Sequence, residues 1–596
     1  MEYSDEELLA ELGGTELEIS TSNSNDDMYK EYSKYKESSL IVNNVYGTVT
    51  VGIEELEIND GGANIVCYIR SGQRDEIKLG MYVIVPYPNG DHMFGRVSRI
   101  RYRHMYPTDD ATEVHSERAS LEHMDENDYK LIAHIEPICI LYKNLKTKVE
   151  RKMVDRIPKP NSPVIQISDK SHVQIGLNIP TEGLFLGHIA IGGEKILTDS
   201  FPPTVPYYLR NDYESGDPLP FRHTIVCGGT GTGKTFLTKN IFRQFIGEDV
   251  RYNVRDEKET CQIQPCLVIL DPQDEYSQLN ESNSALSSDI IDGLDSEKIK
   301  HDGIENTQTF TAKINGENYL GCSSAPITEF TIPFEMVKGN PWLIYGAEMN
   351  ENQIMGLDKL LDDYFNEDKE PTYKKFIATI RDSEKKAHYT QNDIIHEATY
   401  ESISRKVDNP QFKRVFDQGA VSITSIIDKI FVPGQVNVFP SGHVASNRIK
   451  DLIILAMMTM IVDNKLSTSG AKEIKNVPII LGLDEAHRYL SKTSTTQAKI
   501  IVRKFADAAR QGRKESLGLF LITQDPQDID STIMKQINTK IILNLNNENA
   551  INSLMIPKEF EKRIPYLKKG QVIVHSPDNS NTVEIAGLKT CVVKHN

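Results

Sequence analysis

Residues 228–235, GGTGTGKT, have the types and the spacing that bind nucleotide phosphates. They fit the pattern G-x-x-x-x-G-K-[ST] and lie between an apolar run and an amphipathic stretch, which predicts a strand, a turn and a helix. Glycines let backbone N–H groups face the phosphates, and the helix N-terminus adds a partial positive charge. The alternative is a Gly-rich turn without a ligand, which the matching flanks disfavour. The predicted cofactor-binding residues are Gly228, Gly229, Thr230, Gly231, Thr232, Gly233, Lys234 and Thr235.

Two of these residues and one adjacent acidic pair could carry the chemistry. Lys234 is predicted to contact the β- and γ-phosphates, and the Thr235 hydroxyl to ligate Mg²⁺. In the stretch VPIILGLDEAH, an apolar run ends in Asp484 and Glu485. Asp484 is predicted to hold the magnesium shell, and Glu485 to activate a water for attack on the γ-phosphate. The alternative for this pair is an acidic helix cap after a core strand.

A third polar group follows another apolar run. LGLFLITQD ends in Gln524, whose amide could contact the γ-phosphate or its water and so sense which nucleotide is bound. A glutamine at a strand end can also be an ordinary turn residue. No Asn-Lys-x-Asp sequence that would specify guanine is present, so ATP is the predicted nucleotide.

Arginines could supply positive charge to the transferring phosphoryl group. Arg510 and Arg513 lie just before the run that ends in Gln524, and Arg222 lies just before the run that leads into the phosphate loop. A guanidinium can act on the site of its own subunit or of a neighbour. The alternative is a solvated basic helix end, which the helix dipole favours.

The elements that must position these residues are alternating strands and helices. Four apolar runs, HTIVCG, CLVILD, VPIILGLD and LGLFLIT, are separated by helical stretches, which predicts a parallel sheet covered on both faces. Asp484 follows Asp271 by 213 positions, far more than one crossover needs. This stretch is predicted to contain an insert over residues 276–450, polar in its first part and rich in helices in its second.

The N-terminal third has a different pattern. Residues 1–40 are polar and acidic and are predicted to be disordered. Residues 41–195 contain short alternating runs separated by turn residues, which predicts a small antiparallel β-barrel. Residues 196–596 then form the ATPase core. The predicted fold class is therefore α/β.

Composition limits the class of protein further. With 67 basic and 85 acidic residues the formal net charge is -18, which argues against coating nucleic acid with the whole surface but allows a local basic channel. Seven scattered cysteines without a Cys-x-x-Cys pair predict reduced thiols in the cytoplasm. The longest apolar run, LIILAMMTMIV, is too short to span a membrane. His487 lacks a His or Cys cluster around it, so no metal beyond Mg²⁺ is predicted.

Several of these stretches together resemble the HerA family, hexameric translocase ATPases of the HerA/FtsK superfamily. The resemblance runs from about residue 42 to the C-terminus. Gln273-Asp274 stands where the family more often has His-Gly, and Gln511 where it usually has Glu. The stretches that carry the resemblance are YGTVTVG, GLFLG, FRHTIVCGGTGTGKT, CLVILDPQDEY, GLDEAHRYL, RQGRKESLGLFLITQDPQDID and LKKGQVIV.

The resemblance implies a RecA-like P-loop ATPase core behind an N-terminal HAS-barrel, with a helical bundle in the insert. It implies a cytoplasmic homohexamer around double-stranded DNA, with ATP and Mg²⁺ between subunits. Arg513 or Arg510 would act in cis, and Arg222 would be offered by the neighbouring subunit. It also implies a nuclease or sirtuin-like effector partner. The acidic N-terminal segment favours a member of a bacterial antiviral defence system.

Two functions remain open from the sequence. The first is a motor that translocates along duplex DNA. The second is a hexameric scaffold that assembles and regulates an effector, with translocation secondary. Both use the same nucleotide site, so the motifs do not distinguish them. A small-molecule kinase is disfavoured by the chain length and by Glu485.

Overall fold

The computed structural model divides the chain into two compact units. The first comprises the described part of Met1–Leu177 together with Leu197–Pro203, and the second comprises Asn178–Ile196 and Thr204–Asn596. The predicted disordered segment 1–40 lies outside the described residues. The structure describes residues 45–51, 56–59, 62–104, 129–214, 216–254, 261–321, 323–345, 349–491 and 496–595.

The first unit contains a closed antiparallel barrel of six strands, as predicted. The closing order is β3-β1-β8-β4-β5-β6, and β6 pairs back onto β3. Alternate residues of β3, such as Ile65, Cys67 and Ile69, are buried in the barrel core, which is what a period of two requires. The elements of this unit are β1 (Val45–Val49), β2 (Glu57–Asn59), β3 (Gly62–Ile69), β4 (Tyr82–Pro86), β5 (His92–His104), β6 (Tyr129–Lys143), β7 (Val149–Lys152), β8 (Pro163–Gln166) and helix α1 (Lys170–Leu177).

The second unit is built on one large mixed sheet. The strands are β9 (Leu184–Ile191), β10 (Glu194–Lys195), β11 (Pro206–Leu209), β12 (Thr224–Cys227), β13 (Tyr252–Asn253), β14 (Gln262–Ile263), β15 (Cys266–Asp271), β16 (Thr307–Ala312), β17 (Ile327–Thr331), β18 (Val421–Ser422), β19 (Val436–Pro440), β20 (Ile479–Leu483), β21 (Leu517–Thr523), β22 (Thr539–Ile542), β23 (Gln571–His575) and β24 (Val583–Ala586). Of these, β13 and β14 form a separate hairpin.

The sheet order explains how distant motifs meet. Its parallel part runs β22-β12-β21-β20-β15-β19-β16-β17-β18, and the four predicted apolar runs form the central neighbours β12, β21, β20 and β15. Every residue of these four strands is buried, as expected for a sheet covered on both faces. Since parallel strands share a direction, their carboxyl ends lie at one edge. The phosphate loop, Asp484 and Gln524 therefore meet there.

The segment before the phosphate loop corrects the sequence-based division of the chain. Residues 178–195 were expected to complete the barrel, but β9 pairs antiparallel with β24, and Ile189 lies opposite Ile585. The strand β9 also pairs with β11 and β10, so it extends the antiparallel part of the large sheet. The run LFLGHIAI is buried along almost its whole length. This burial suits a strand inside a large sheet better than a barrel strand with one solvent-exposed face.

Helices cover the sheet and fill the stretch between β17 and β18. The helices of the second unit are α2 (Lys234–Phe245), α3 (Ser288–Ser296), α4 (Glu351–Glu367), α5 (Tyr373–Arg381), α6 (Ser383–Gln391), α7 (Glu397–Val407), α8 (Pro410–Val415), α9 (Ile427–Ile430), α10 (Asn447–Leu466), α11 (Lys472–Lys475), α12 (Ala486–Leu490), α13 (Thr496–Gln511), α14 (Ser531–Met534), α15 (Glu548–Ser553) and α16 (Lys558–Glu561). Across the described residues, none of the helices is both long and apolar enough to cross a bilayer.

Candidate nucleotide site

The phosphate loop links β12 to α2 and depends on glycine. Gly231 and Gly233 have positive φ angles of 76° and 99°, a region that favours glycine. A Cβ on Gly228 would lie 2.8 Å from the Leu543 side chain, so this position needs a residue without one. The Gly229 N–H donates to the Asn544 carbonyl at 2.8 Å, which ties the loop to the end of β22. The conformation of the loop therefore depends on its glycines.

Lys234 lies over the phosphate loop. Its Nζ donates to the carbonyls of Gly228 and Gly229, both at 3.0 Å. Burial lowers the pKa of the Lys234 ammonium, and the nearby carboxylates of Glu485 and Asp484 act in the opposite direction. The ammonium is therefore held between the loop and the acidic residues, where an anionic ligand on the loop would meet it.

Two buried carboxyls form the acidic side of the site. Asp484 follows β20 and is 5% exposed, and Asp271 ends β15 and is fully buried. Burial raises the pKa of Asp484 to about 8, with the Asp271 carboxyl adding to the shift. Burial likewise raises the pKa of Asp271 to about 7. Burial of two neighbouring carboxyls therefore disfavours negative charge on both of them in the protein alone.

This environment fits a divalent cation bound together with phosphate. The Thr235 hydroxyl donates to Glu275 at 2.5 Å, so a hydroxyl and carboxylates converge next to the loop. Oxygen ligands of this kind suit Mg²⁺, which usually keeps waters and takes only one or two protein ligands besides phosphates. Within the described ranges, no group of three or more His, Cys, Asp or Glu could hold a metal ion unaided. The residues fit a cation that arrives with a nucleotide.

Glu485 is held by two amides at the same oxygen. Its Oε1 accepts a hydrogen bond from Gln524 Nε2 at 2.9 Å and another from Gln273 Nε2 at 2.8 Å. Gln524 Oε1 in turn accepts from the Thr230 hydroxyl at 2.6 Å. The backbone of Glu485 has a φ of 49°, a conformation that non-glycine residues seldom adopt. A continuous set of hydrogen bonds therefore joins the phosphate loop to the predicted water-activating carboxylate.

Two contacting residues were missed from the sequence, and a third contact comes from His487, for which no metal-binding role was predicted. Gln273 and Glu275 follow β15, and their roles depend on β15 lying next to β20 in the sheet. His487 Nδ1 lies 3.1 Å from the Thr523 hydroxyl and 3.5 Å from Glu485 Oε2. The sequence did contain a signal for Gln273 and Glu275, because the polar stretch DPQDEY directly follows a buried run. In a parallel sheet, that position lies at the same edge as the phosphate loop.

The structure does not bring the predicted arginines to the phosphate loop of their own chain. Arg222 ends the turn Leu219–Arg222 before β12, and its Nη1 donates to Asp578 at 2.7 Å. Arg513 lies in the turn Gly512–Glu515 before β21 and forms an ion pair with Asp217. Arg510 is exposed at the end of α13. Arg513 precedes β21 and Gln524 follows it. The seven residues of β21, at about 3.3 Å each, therefore separate the two by roughly 20 Å.

A cavity of about 470 Å³ opens beside the phosphate loop. Gly233, Phe236 and Leu237 form the side contributed by the loop and α2. The other side comes from the C-terminal strands and their connections, including Lys569 and Gly587. The cavity has an apolar wall and nearby lysines. This combination suits a ligand that has a planar ring and an anionic group.

Part of the region that holds this site is similar to known proteins. Residues 217–461 match the family model described as the central domain of helicase HerA. The chain is 31% identical over 120 residues to the DNA double-strand break repair helicase HerA of Sulfurisphaera tokodaii, a match that covers 20% of this chain and 23% of that protein. It is 24% identical over 392 residues to the protein of the same name from Pyrococcus furiosus, covering 60% and 63%.

The matched region is short relative to the first of these proteins. The chain spans about a quarter of the length of the first curated relatives that it matches. Among solved structures, VirB4 of Thermoanaerobacter pseudethanolicus aligns with a TM-score of 0.43 at 12% identity, covering 69% of this chain and 98% of that one. The chain is thus similar to HerA helicases, and its residues 217–461 match the central domain of that family.

Proposed function

We propose that this protein hydrolyses ATP with Mg²⁺ and uses the energy to translocate along double-stranded DNA. The observation that carries the proposed hydrolysis is the hydrogen-bonded connection from Thr230 on the phosphate loop through Gln524 to Glu485. It links the proposed phosphate-binding loop to the carboxylate that we propose activates water. The proposed architecture is a RecA-like core with an N-terminal HAS-barrel and a helical insert, assembled as a homohexamer.

The phosphates of ATP would occupy the loop, where backbone N–H groups and the N-terminus of α2 would meet them. Lys234 Nζ would exchange its two carbonyl contacts for the β- and γ-phosphates. The Thr235 hydroxyl and Asp484 would hold Mg²⁺, which neutralises phosphate charge when bound. The cavity beside Phe236 and Leu237 would take the adenine and ribose. ATP and Mg²⁺ are thus the proposed cofactors.

Hydrolysis would follow from the position of Glu485. Water attacks the γ-phosphorus, the bond from that phosphorus to the β,γ-bridging oxygen breaks, and the water proton passes to the Glu485 carboxylate. Gln273 and Gln524 fix one carboxylate oxygen, which leaves Oε2 to receive the proton. Gln524 would also report the state of the γ-phosphate to the phosphate loop through Thr230.

The arginines at the opposite sheet edge would act on a neighbouring subunit. About 20 Å of sheet separates Arg513 from its own site, which supports a role in trans rather than in cis. Arg510 and Arg222 lie at the same edge as Arg513. In a ring with head-to-tail contacts, that edge would meet the next subunit's phosphate loop. The ATP sites of the proposed homohexamer would therefore lie between subunits.

The second candidate function is a hexameric scaffold that regulates a nuclease or sirtuin-like effector, and one assay separates the two. We expect linear duplex DNA to raise the rate of phosphate release from ATP by at least about 5-fold for the protein alone. The reason is that a translocase hydrolyses ATP as it moves along bound DNA. The control is the same assay with the protein encoded by the adjacent gene and no DNA. A rate that ignores DNA and rises only with that partner would favour the scaffold.

A further inference from the structure

We infer that Gln273 is a positioning residue for Glu485 and that Tyr319 holds Gln273 in place through Asp274. The inference rests on the proposed hydrolysis of ATP and adds a control point to the same site. Gln273 Nε2 donates to Glu485 Oε1 at 2.8 Å, a direct contact with the carboxylate that receives the water proton. The other amide on that oxygen, Gln524, belongs to a different strand.

The turn that presents Gln273 is anchored at a buried carboxylate. Asp271 Oδ1 accepts from the Gln273 N–H at 3.1 Å, and Asp271 Oδ2 accepts from the Tyr276 N–H at 2.8 Å. Tyr276 is itself fully buried, and its hydroxyl lies 2.9 Å from the Thr238 hydroxyl on α2. The start and the end of the turn are therefore fixed to the sheet and to the helix that follows the phosphate loop.

The middle of the turn needs an additional contact. Asp274 has a φ of 61°, in the left-handed region that glycine occupies more readily. The Tyr319 hydroxyl lies 3.0 and 2.9 Å from the two Asp274 carboxylate oxygens and donates its hydrogen to that carboxylate. A short polar side chain in this conformation is thus held from outside the turn, directly next to Gln273.

Tyr319 belongs to the insert and is held by other residues of it. Its ring packs edge-on against His443 with centroids 5.2 Å apart. Two residues earlier, Glu317 accepts from the Ala445 N–H at 3.1 Å and forms an ion pair with Arg414, which lies on α8. Direct contacts therefore lead from the helical part of the insert to the turn that carries Gln273. The insert can set the position of the Glu485 carboxylate without touching the nucleotide.

Steady-state ATP hydrolysis and ATP affinity of the full chain test this inference. We expect Gln273→Ala to lower kcat about 10-fold while the Kd for ATP changes less than 2-fold, because the loop and Lys234 are unaltered. Gln273→Glu should lower kcat further, since a second carboxylate would repel Glu485. Gln273→His, which restores an N–H donor, should recover part of the loss. Gln391→Ala, at the exposed end of α6, is the matched control.

Tyr319→Phe removes one oxygen atom and keeps the ring against His443, so it guards against a folding artefact. We expect it to lower kcat about 3-fold, and the double variant Gln273→Ala/Tyr319→Phe to be no slower than Gln273→Ala. Wild-type kcat in both single variants would overturn the inference while leaving the proposed hydrolysis intact. ATP binding without turnover in the wild-type protein would instead overturn the proposed function and the inference with it.

Discussion

Glu485→Gln is expected to lower kcat for ATP hydrolysis by at least about 100-fold, the range typical of losing a general base. The amide keeps the shape of the side chain, and its oxygen can still accept from Gln273 and Gln524, but it does not take up the water proton. ATP binding should change by less than about 3-fold, because Glu485 does not contact the phosphate loop directly. Phosphate release and titration with a fluorescent ATP analogue measure the two quantities.

The control for this substitution is Glu473→Gln, which makes the same chemical change at an exposed position of α11. It should leave kcat and the Kd for ATP at their wild-type values. Turnover by Glu485→Gln within about 5-fold of the wild-type rate would show that another group activates the water. His487, which lies 3.5 Å from Glu485 Oε2, would then be the next residue to replace.

The second large effect concerns the sharing of sites between subunits. Arg513→Ala and Glu485→Gln should each be nearly inactive, yet rings co-assembled from the two should regain activity. At equal amounts, about one quarter of the interfaces in a randomly mixed ring would combine an intact Glu485 with an intact Arg513 from the neighbour. The rate of phosphate release at constant total protein, plotted against the mixing ratio, should therefore pass through a maximum.

The companion experiment identifies which arginine is shared. Arg513 has a side chain that is 48% exposed, whereas Arg222 is 16% exposed and bound to Asp578, so Arg513 is better placed to reach a neighbour. The same mixing with Arg222→Ala should also restore activity if Arg222 is a second shared arginine. If neither mixture recovers activity while every variant assembles normally, the proposal that sites lie between subunits is wrong.

The elements that the sequence predicted best are those with a local signal. Residues 228–235 and the pair Asp484 and Glu485 combine a chemical motif with an adjacent buried run, so both their structure and their position could be expected. The barrel was predictable for a similar reason, since alternation and turn residues recur along the chain. The motif or the alternation that identifies each strand lies within about 15 consecutive residues, and no distant partner is needed to recognise it.

The features that were missed depend on pairing between distant segments. Strand β9 joins β24 about 400 positions later, and no periodicity within either strand reveals this partner. Gln273 reaches Glu485 only because β15 lies beside β20. The placement of Arg513, in contrast, could have been predicted, because a residue before a parallel strand and one after it must lie at opposite edges of the sheet.

Mg²⁺-dependent phosphate release from ATP, measured for the wild-type protein and for Lys234→Ala, tests the central claim most directly. Lys234 is the ammonium that lies over the phosphate loop, so its loss should weaken ATP binding and reduce turnover by at least about 100-fold. We expect the wild-type protein to hydrolyse ATP and to lose that activity when Mg²⁺ is chelated. Absence of wild-type turnover, or turnover that survives both Lys234→Ala and chelation, would contradict the proposed site.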